Sequence, residues 1–244
     1  MKKDHSEAVP VINALRGGLV VSCQPVEDSP MDRDDIVLAY AKTAILSGAN
    51  GLRIEGVNRL TFVRPHVEVP IIGIVKRDFE QYPVRITAIE DDVLGLINAG
   101  ADIIAIDATM RKRPVPFTEL VTLVQSQGKC VMADCSTFEE GVIASELGCD
   151  LIGSTLSGYT TDSVPNDPDI SLVERWVEQG FRVMAEGRYN SPDVVENALK
   201  AGAWSCTVGT AITRPELVTE WFVAHARSGY EQRQNNQQAN SLKG

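Results

Sequence analysis

Histidine is scarce in this chain: His5, His66 and His225 are the three among 244 residues, and none falls at the end of an expected strand. With no H-x-H, no H-E-x-x-H and no Cys/His cluster, the usual ligand sets for a protein-held metal are missing. Ser-His-Asp and Cys-His chemistry lack their histidine as well. The five cysteines (Cys23, Cys130, Cys135, Cys149 and Cys206) are odd in number and contain no C-x-x-C pair, which speaks against a disulfide framework. Cys23, Cys130 and Cys206 lie in strand-like runs, where free cysteine behaves as a small hydrophobe. No apolar run approaches the length of a membrane span, and Met1–Glu7 carries no apolar signal stretch, so the expectation is a cytoplasmic protein. Basic charge is in deficit, 23 Lys and Arg against 33 Asp and Glu, for a net charge of −10. That balance argues against nucleic acid or an anionic membrane as partner but leaves a small anionic substrate open, since a few cations can dominate one pocket.

What is present is a long alternation of two patterns. Short apolar runs at 19–24, 51–55, 71–76, 102–107, 129–134, 150–154, 181–186 and 204–209 read as strands buried on both faces. Helical stretches fall between them near 34–47, 58–66, 90–99, 116–127, 137–147, 168–179, 191–201 and 214–227, after a short helix over 6–16 with Ser6 as its possible cap. Eight βα units without a linker predict a single α/β domain over 1–228, a closed (β/α)8 TIM barrel. Residues 229–244, rich in Gln and Asn, read as a polar, disordered tail. An internal repeat supports closure. Gly48-Ala49-Asn50, Gly100-Ala101-Asp102, Gly148-Cys149-Asp150 and Gly202-Ala203-Trp204 each end a helix and open an even-numbered strand, at separations of 52, 48 and 54 residues.

The odd-numbered strands then align by their endings. Each apolar run stops on a polar or charged residue: Gln24, Lys76, Asp134 and Glu186. Alternate strands of a barrel feed one interior layer, so these four are expected to converge at the carboxyl mouth, where burying them without use or pairing would be costly. Apolar surroundings disfavour a lysine's charged form, which makes Lys76 a candidate base. Arg53, on the second strand, could fork onto a substrate oxygen or pair with Glu55, Asp107 or Glu186. The loop Ser154–Thr160, with Thr155 and Tyr159, suits a lid or sugar-hydroxyl contacts. Gly187, Arg188, Gly209, Thr210 and Arg214 fall in the loops after strands seven and eight, where many barrels hold phosphate. An amine, carboxylates, a guanidinium and a phosphate grip together suit proton transfer at carbon in a sugar phosphate.

Taken in order, Ser22-Cys23-Gln24, Gly51-Leu52-Arg53-Ile54-Glu55-Gly56, Val75-Lys76-Arg77-Asp78, Met132-Ala133-Asp134-Cys135-Ser136-Thr137, Thr155-Leu156-Ser157-Gly158-Tyr159-Thr160 and Ala185-Glu186-Gly187-Arg188 resemble the N-acetylmannosamine-6-phosphate 2-epimerase family of bacterial sialic acid catabolism. The resemblance runs from about residue 16 to 227. It implies Lys76 as catalytic base and Glu186 as its partner in proton transfer. It also implies that Gln24, Arg53 and Asp134 line the sugar site and that loops seven and eight hold the phosphate; with the metal-ligand motifs missing, no metal or cofactor is expected. A Schiff-base phosphosugar aldolase using Lys76 and a non-catalytic phosphosugar sensor are the alternative readings. Aromatic residues and Met on the outer helices leave a homodimer open.

Overall fold

The computed structural model describes residues 8–161 and 163–241. Eight strands run parallel: β1 Leu19–Cys23, β2 Gly51–Glu55, β3 Ile71–Ile74, β4 Ile103–Asp107, β5 Cys130–Asp134, β6 Leu151–Gly153, β7 Val183–Glu186 and β8 Ser205–Val208. Each pairs with the next, and β8 pairs back onto β1, so the barrel is closed as the alternation predicts. The crossovers are α2 Asp34–Leu46, α3 Val57–Val63, α4 Glu90–Asn98, α5 Phe117–Ser126, α6 Phe138–Glu146, α7 Ile170–Glu178 and α8 Pro192–Lys200. The four repeated glycines, Gly48, Gly100, Gly148 and Gly202, all take positive φ, between 78° and 97°, which turns each helix end back toward its strand.

Strand alternation builds two cores from one sheet. Val20, Ile72, Ile74, Ile103, Ala105, Met132 and Met184 point inward and pack together. Val21, Cys23, Leu52, Ile54, Ile104 and Ile106 point outward against the helices. The helix α1, Ala8–Ala14, closes the amino end of the barrel, where Trp204 Nε1 donates to the Ile12 carbonyl at 2.9 Å. Its expected start at Ser6 lies outside the described residues. Near the opposite mouth, Thr137 and Glu140 form a reciprocal capping box that starts α6. The same Glu140 carboxylate accepts from the backbone N–H of Met110, tying loop four to loop five.

Two expectations differ from the structure. The third strand ends at Ile74, because Val75 and Lys76 leave the barrel ladder to pair with a returning segment of the β3–α4 loop. The expected disordered tail is helical: after the single turn α9, Thr210–Thr213, the helix α10 runs from Pro215 to Ser241. Glu, Gln, Arg and Ala propagate a helix well once its first turns exist, so a composition that resists burial does not resist a solvated helical extension.

Candidate active site at the carboxyl mouth

Inward-pointing residues at the strand ends open into a cavity of about 450 Å³. Gln24, Arg53, Lys76, Thr155, Tyr159, Glu186, Gly187, Arg188, Gly209, Thr210 and Arg214, all marked by the sequence, line it. Asp134 does not. Its side chain is fully buried and pairs with Arg53, which does line the cavity. The register sets its level: Asp134 stands beside Asp107 and Gly153, and with the stagger of a closed barrel it shares a layer with Glu186, one layer below Gln24 and Lys76.

Asp134 belongs instead to a buried network. Arg53 Nη2 donates to Asp134 Oδ2 at 2.6 Å and Nη1 to Oδ1 at 3.2 Å. Nη1 also reaches Glu186 Oε2 at 3.0 Å, and Thr155 Oγ1 donates to Asp134 Oδ1 at 2.6 Å. Of the two roles open for Arg53, the structure shows ion pairing, to Asp134 and Glu186 rather than to Glu55 or Asp107. Removed from water, Glu186 is pushed up to about 7, against the pull of Arg53 and with the push of Asp134.

Lys76 stands across the barrel from Glu186. Among the described residues no carboxylate lies within ion-pair distance of its ammonium. Its pKa is lowered to about 8, first by crowding at the mouth, then by the positive charges of Arg214 and Arg53, while Glu55 and Glu186 oppose the shift. The side chain is nonetheless exposed to the cavity, so the desolvation is that of a crowded entrance and not of a dry interior. Arg77 does not supply the neighbouring charge that its position in sequence suggests. It turns aside to Asp92 at 2.7 Å, and Arg214, far away in the chain, takes that place.

On the side of loops seven and eight, Arg214 Nε is fixed by the Gln24 carbonyl at 2.7 Å. Arg188, whose own φ is +64°, donates to the carbonyls of Ser157 at 2.6 Å and Asp167 at 2.8 Å and lies over the Tyr159 ring. In this arrangement Arg188 fastens loop six over the mouth. Sequence reasoning missed Ser22, Arg85, Ile86, Arg111, Tyr189 and Thr207, which also line the cavity. The hydroxyls of Thr207 and Tyr189 are buried behind this lining, that of Thr207 beside Glu186 and that of Tyr189 beside Ser154. No group of three or more His, Cys, Asp or Glu among the described residues could hold a metal ion.

Fold and cavity together define a (β/α)8 barrel protein whose mouth sets a depressed lysine against an elevated glutamic acid beside an arginine-bearing wall. A family model described as "Putative N-acetylmannosamine-6-phosphate epimerase" matches residues 37–228. A protein of Aliivibrio fischeri with the corresponding 2-epimerase description is 55% identical over 218 residues, covering 89% of this chain and 93% of its own. One from Escherichia coli O157:H7, described in the same words, is 54% identical over 209 residues, covering 86% and 91%. The solved N-acetylmannosamine-6-phosphate 2-epimerase from Clostridium perfringens superposes with a TM-score of 0.85 at 38% identity, covering 87% of this chain and 95% of that one. The chain belongs to the N-acetylmannosamine-6-phosphate 2-epimerase family.

Proposed function

We propose that this protein is an isomerase that interconverts N-acetylmannosamine 6-phosphate and N-acetylglucosamine 6-phosphate, removing and returning the proton at C2 with Lys76 as base. The observation that carries the reading is Lys76, held at about 8 and facing Glu186, held at about 7, across a cavity of about 450 Å³. That volume suits a hexosamine phosphate. In the open-chain sugar the C2 proton is acidic because the adjacent aldehyde can hold charge as an enolate. A neutral amine is needed to take it, and positive charge nearby is needed to receive the charge that develops. Arg214 and Arg53 serve both ends, lowering Lys76 and contributing positive potential. Gly187, Gly209 and Thr210 leave room for the phosphate beside Arg214, and gripping the phosphate fixes C2 over the amine. A protonated Glu186 can deliver a proton to the face opposite Lys76, directly or through a substrate hydroxyl.

A phosphosugar substrate supports a cytoplasmic setting. No helix among the described residues is long and apolar enough to cross a membrane. The exposed Phe222 and Val223 on α10 support a homodimer, which sedimentation would test. The deciding experiment for the chemistry is proton NMR of N-acetylmannosamine 6-phosphate with the protein in D₂O and EDTA. Conversion to the gluco epimer with deuterium at C2 is expected. Binding without conversion would replace the enzyme by a sensor.

A further inference from the structure

The β3–α4 loop is the least regular part of the mouth, and it carries a local strain. After Lys76 the chain loops out through Phe79 and Tyr82 and returns antiparallel to itself. Arg77 N donates to the Arg85 carbonyl at 2.9 Å, and Thr87 N donates to the Val75 carbonyl at 2.8 Å. Those two bonds flank Lys76 and Ile86, making them a non-hydrogen-bonded antiparallel pair. In such a pair facing Cα atoms stand about 4.5 Å apart and both side chains leave on the same face. The Ile86 carbonyl in turn accepts from Asp107 N at 3.0 Å, so the returning segment wedges between the end of β3 and the end of β4. Its side chain joins the inner core with Ile74, Ile103 and Ala105, and it is 6% exposed.

The next residue shows that this position is enforced. Thr87 is fully buried and β-branched, yet its φ is +46°. Such a conformation costs about 1–3 kcal/mol for a side chain of this kind and persists where surrounding contacts over-determine it. Thr87 Oγ1 accepts from Val75 N at 3.2 Å, which pins the strained residue against the strand bearing Lys76.

The charges around Lys76 fall into two groups. From β2, β7 and the α9–α10 junction, Arg53, Glu55, Glu186 and Arg214 act on it directly. From β4 and its loop, Asp107 and Arg111 form a pair at 2.9 Å next to the return and, with Arg85, line the same cavity, while Arg85 itself pairs with Asp78. Asp107 is a buried carboxylate at a strand end that the proposed chemistry does not use.

We propose that Ile86 is a positioning residue for Lys76: its side chain is the apolar wall that separates the amine from the Asp107 carboxylate and keeps water from that side of it. This rests on the epimerase reading for its purpose but not for its measurement. The return segment exists to bring a hydrocarbon face where the barrel alone would leave Lys76 beside Asp107. A carboxylate at that place would favour the charged amine, and a base that stays protonated cannot take the C2 proton.

The test is the pH dependence with which Lys76 reacts with limiting acetic anhydride, read by mass spectrometry on the full chain. The wild-type midpoint is expected near 8. Ile86→Thr, which keeps β-branching but adds a hydroxyl and admits water, should raise the midpoint by about one pH unit, a tenfold change in proton affinity. Ile86→Val should leave it in place. An unmoved midpoint in folded Ile86→Thr overturns the proposal. If that variant does not fold, Asp107→Asn in the otherwise unaltered chain decides: an insulated carboxylate leaves the midpoint unmoved, and a clear fall means that there is no wall. Turnover separates the two readings. A wild-type protein that converts no substrate while its lysine behaves as described refutes the epimerase and leaves the wall standing.

Discussion

Replacing Arg53 by Met should be the most damaging single change at the mouth that leaves the proposed base in place. The guanidinium is 1% exposed and lies between Asp134, 0% exposed, and Glu186, 12% exposed, with contacts of 2.6 and 3.0 Å. Methionine matches its length without its charge, so two largely buried carboxylates lose their counter-charge. Breaking a buried pair from one side costs about 3–5 kcal/mol, a large part of the stability of a single domain. The pH dependence gives the sign. Burial already holds Glu186 at about 7, above the ordinary 4.5, with Arg53 as the principal opposing influence. A carboxyl raised in the folded state contributes stability that is complete below its unfolded value and is lost as pH rises through the folded one. In the wild type that loss is complete soon above 7. Without Arg53 the carboxyl climbs further, and the loss continues into the alkaline range. The gap between wild type and variant should therefore widen with pH, by up to about 1.4 kcal/mol for each pH unit over which the proton difference persists. Urea denaturation at about pH 6 and about pH 8.5, with m-values compared, measures it. A gap below about 1 kcal/mol at the higher pH, or one that does not widen, would refute the account of this network.

Lys76→Met should abolish turnover in the NMR assay while raising stability slightly at neutral pH. A lysine lowered from 10.5 to about 8 gives the folded state stability that grows as pH rises through that window, and Met removes this dependence. Because the side chain is exposed, the gain should stay under about 1 kcal/mol by thermal or urea denaturation. Arg214→Ala should weaken binding of inorganic phosphate by about tenfold or more, as expected for a charge-assisted contact, and should raise the Lys76 titration midpoint. Calorimetry and the labelling assay read the two effects separately. Gly141→Ala, on the outer wall, should cost about 1–3 kcal/mol by urea denaturation, since its new methyl meets the buried ring of Trp176, whose Nε1 is fixed to the Phe138 carbonyl at 3.1 Å.

The barrel was legible because its evidence is periodic: eight apolar runs, and four glycine signatures that all proved to be positive-φ helix ends. The strand-end polar residues were legible for the same reason, since alternation within a strand fixes which side chains face inward. Depth was not. Whether Asp134 touches a ligand or supports Arg53 from below depends on the stagger between strands, and a single strand's pattern carries no record of its neighbours' register. Contacts made across the mouth were equally hidden. Arg188 reads as a phosphate ligand by its place after β7; it lines the cavity, and no spacing records that its Nε and Nη1 also reach the carbonyls of Asp167 and Ser157 in loop six. Ile86 arrives beside Lys76 on an irregular return held by a strained threonine, and no periodicity marks it. The helical run to Ser241 was missed because composition was read as disorder where only burial was lacking.

The two shifted groups gain their meaning together. In water an amine at 10.5 and a carboxylic acid at 4.5 exchange a proton in one direction only; here they stand at about 8 and about 7. Burial moves both toward each other, because it penalises the ammonium and the carboxylate alike. Arg53 opposes this by favouring the ionised Glu186, yet the same guanidinium depresses Lys76, and Asp134 takes up part of its charge. In the proposed mechanism the network keeps the carboxyl available as an acid while the amine is available as a base. An epimerisation between two sugars of similar energy must run both ways through one intermediate. A pair of groups separated by about one pH unit can lend and recover the proton in either direction, whereas a pair left at its solution values would be trapped with the lysine charged.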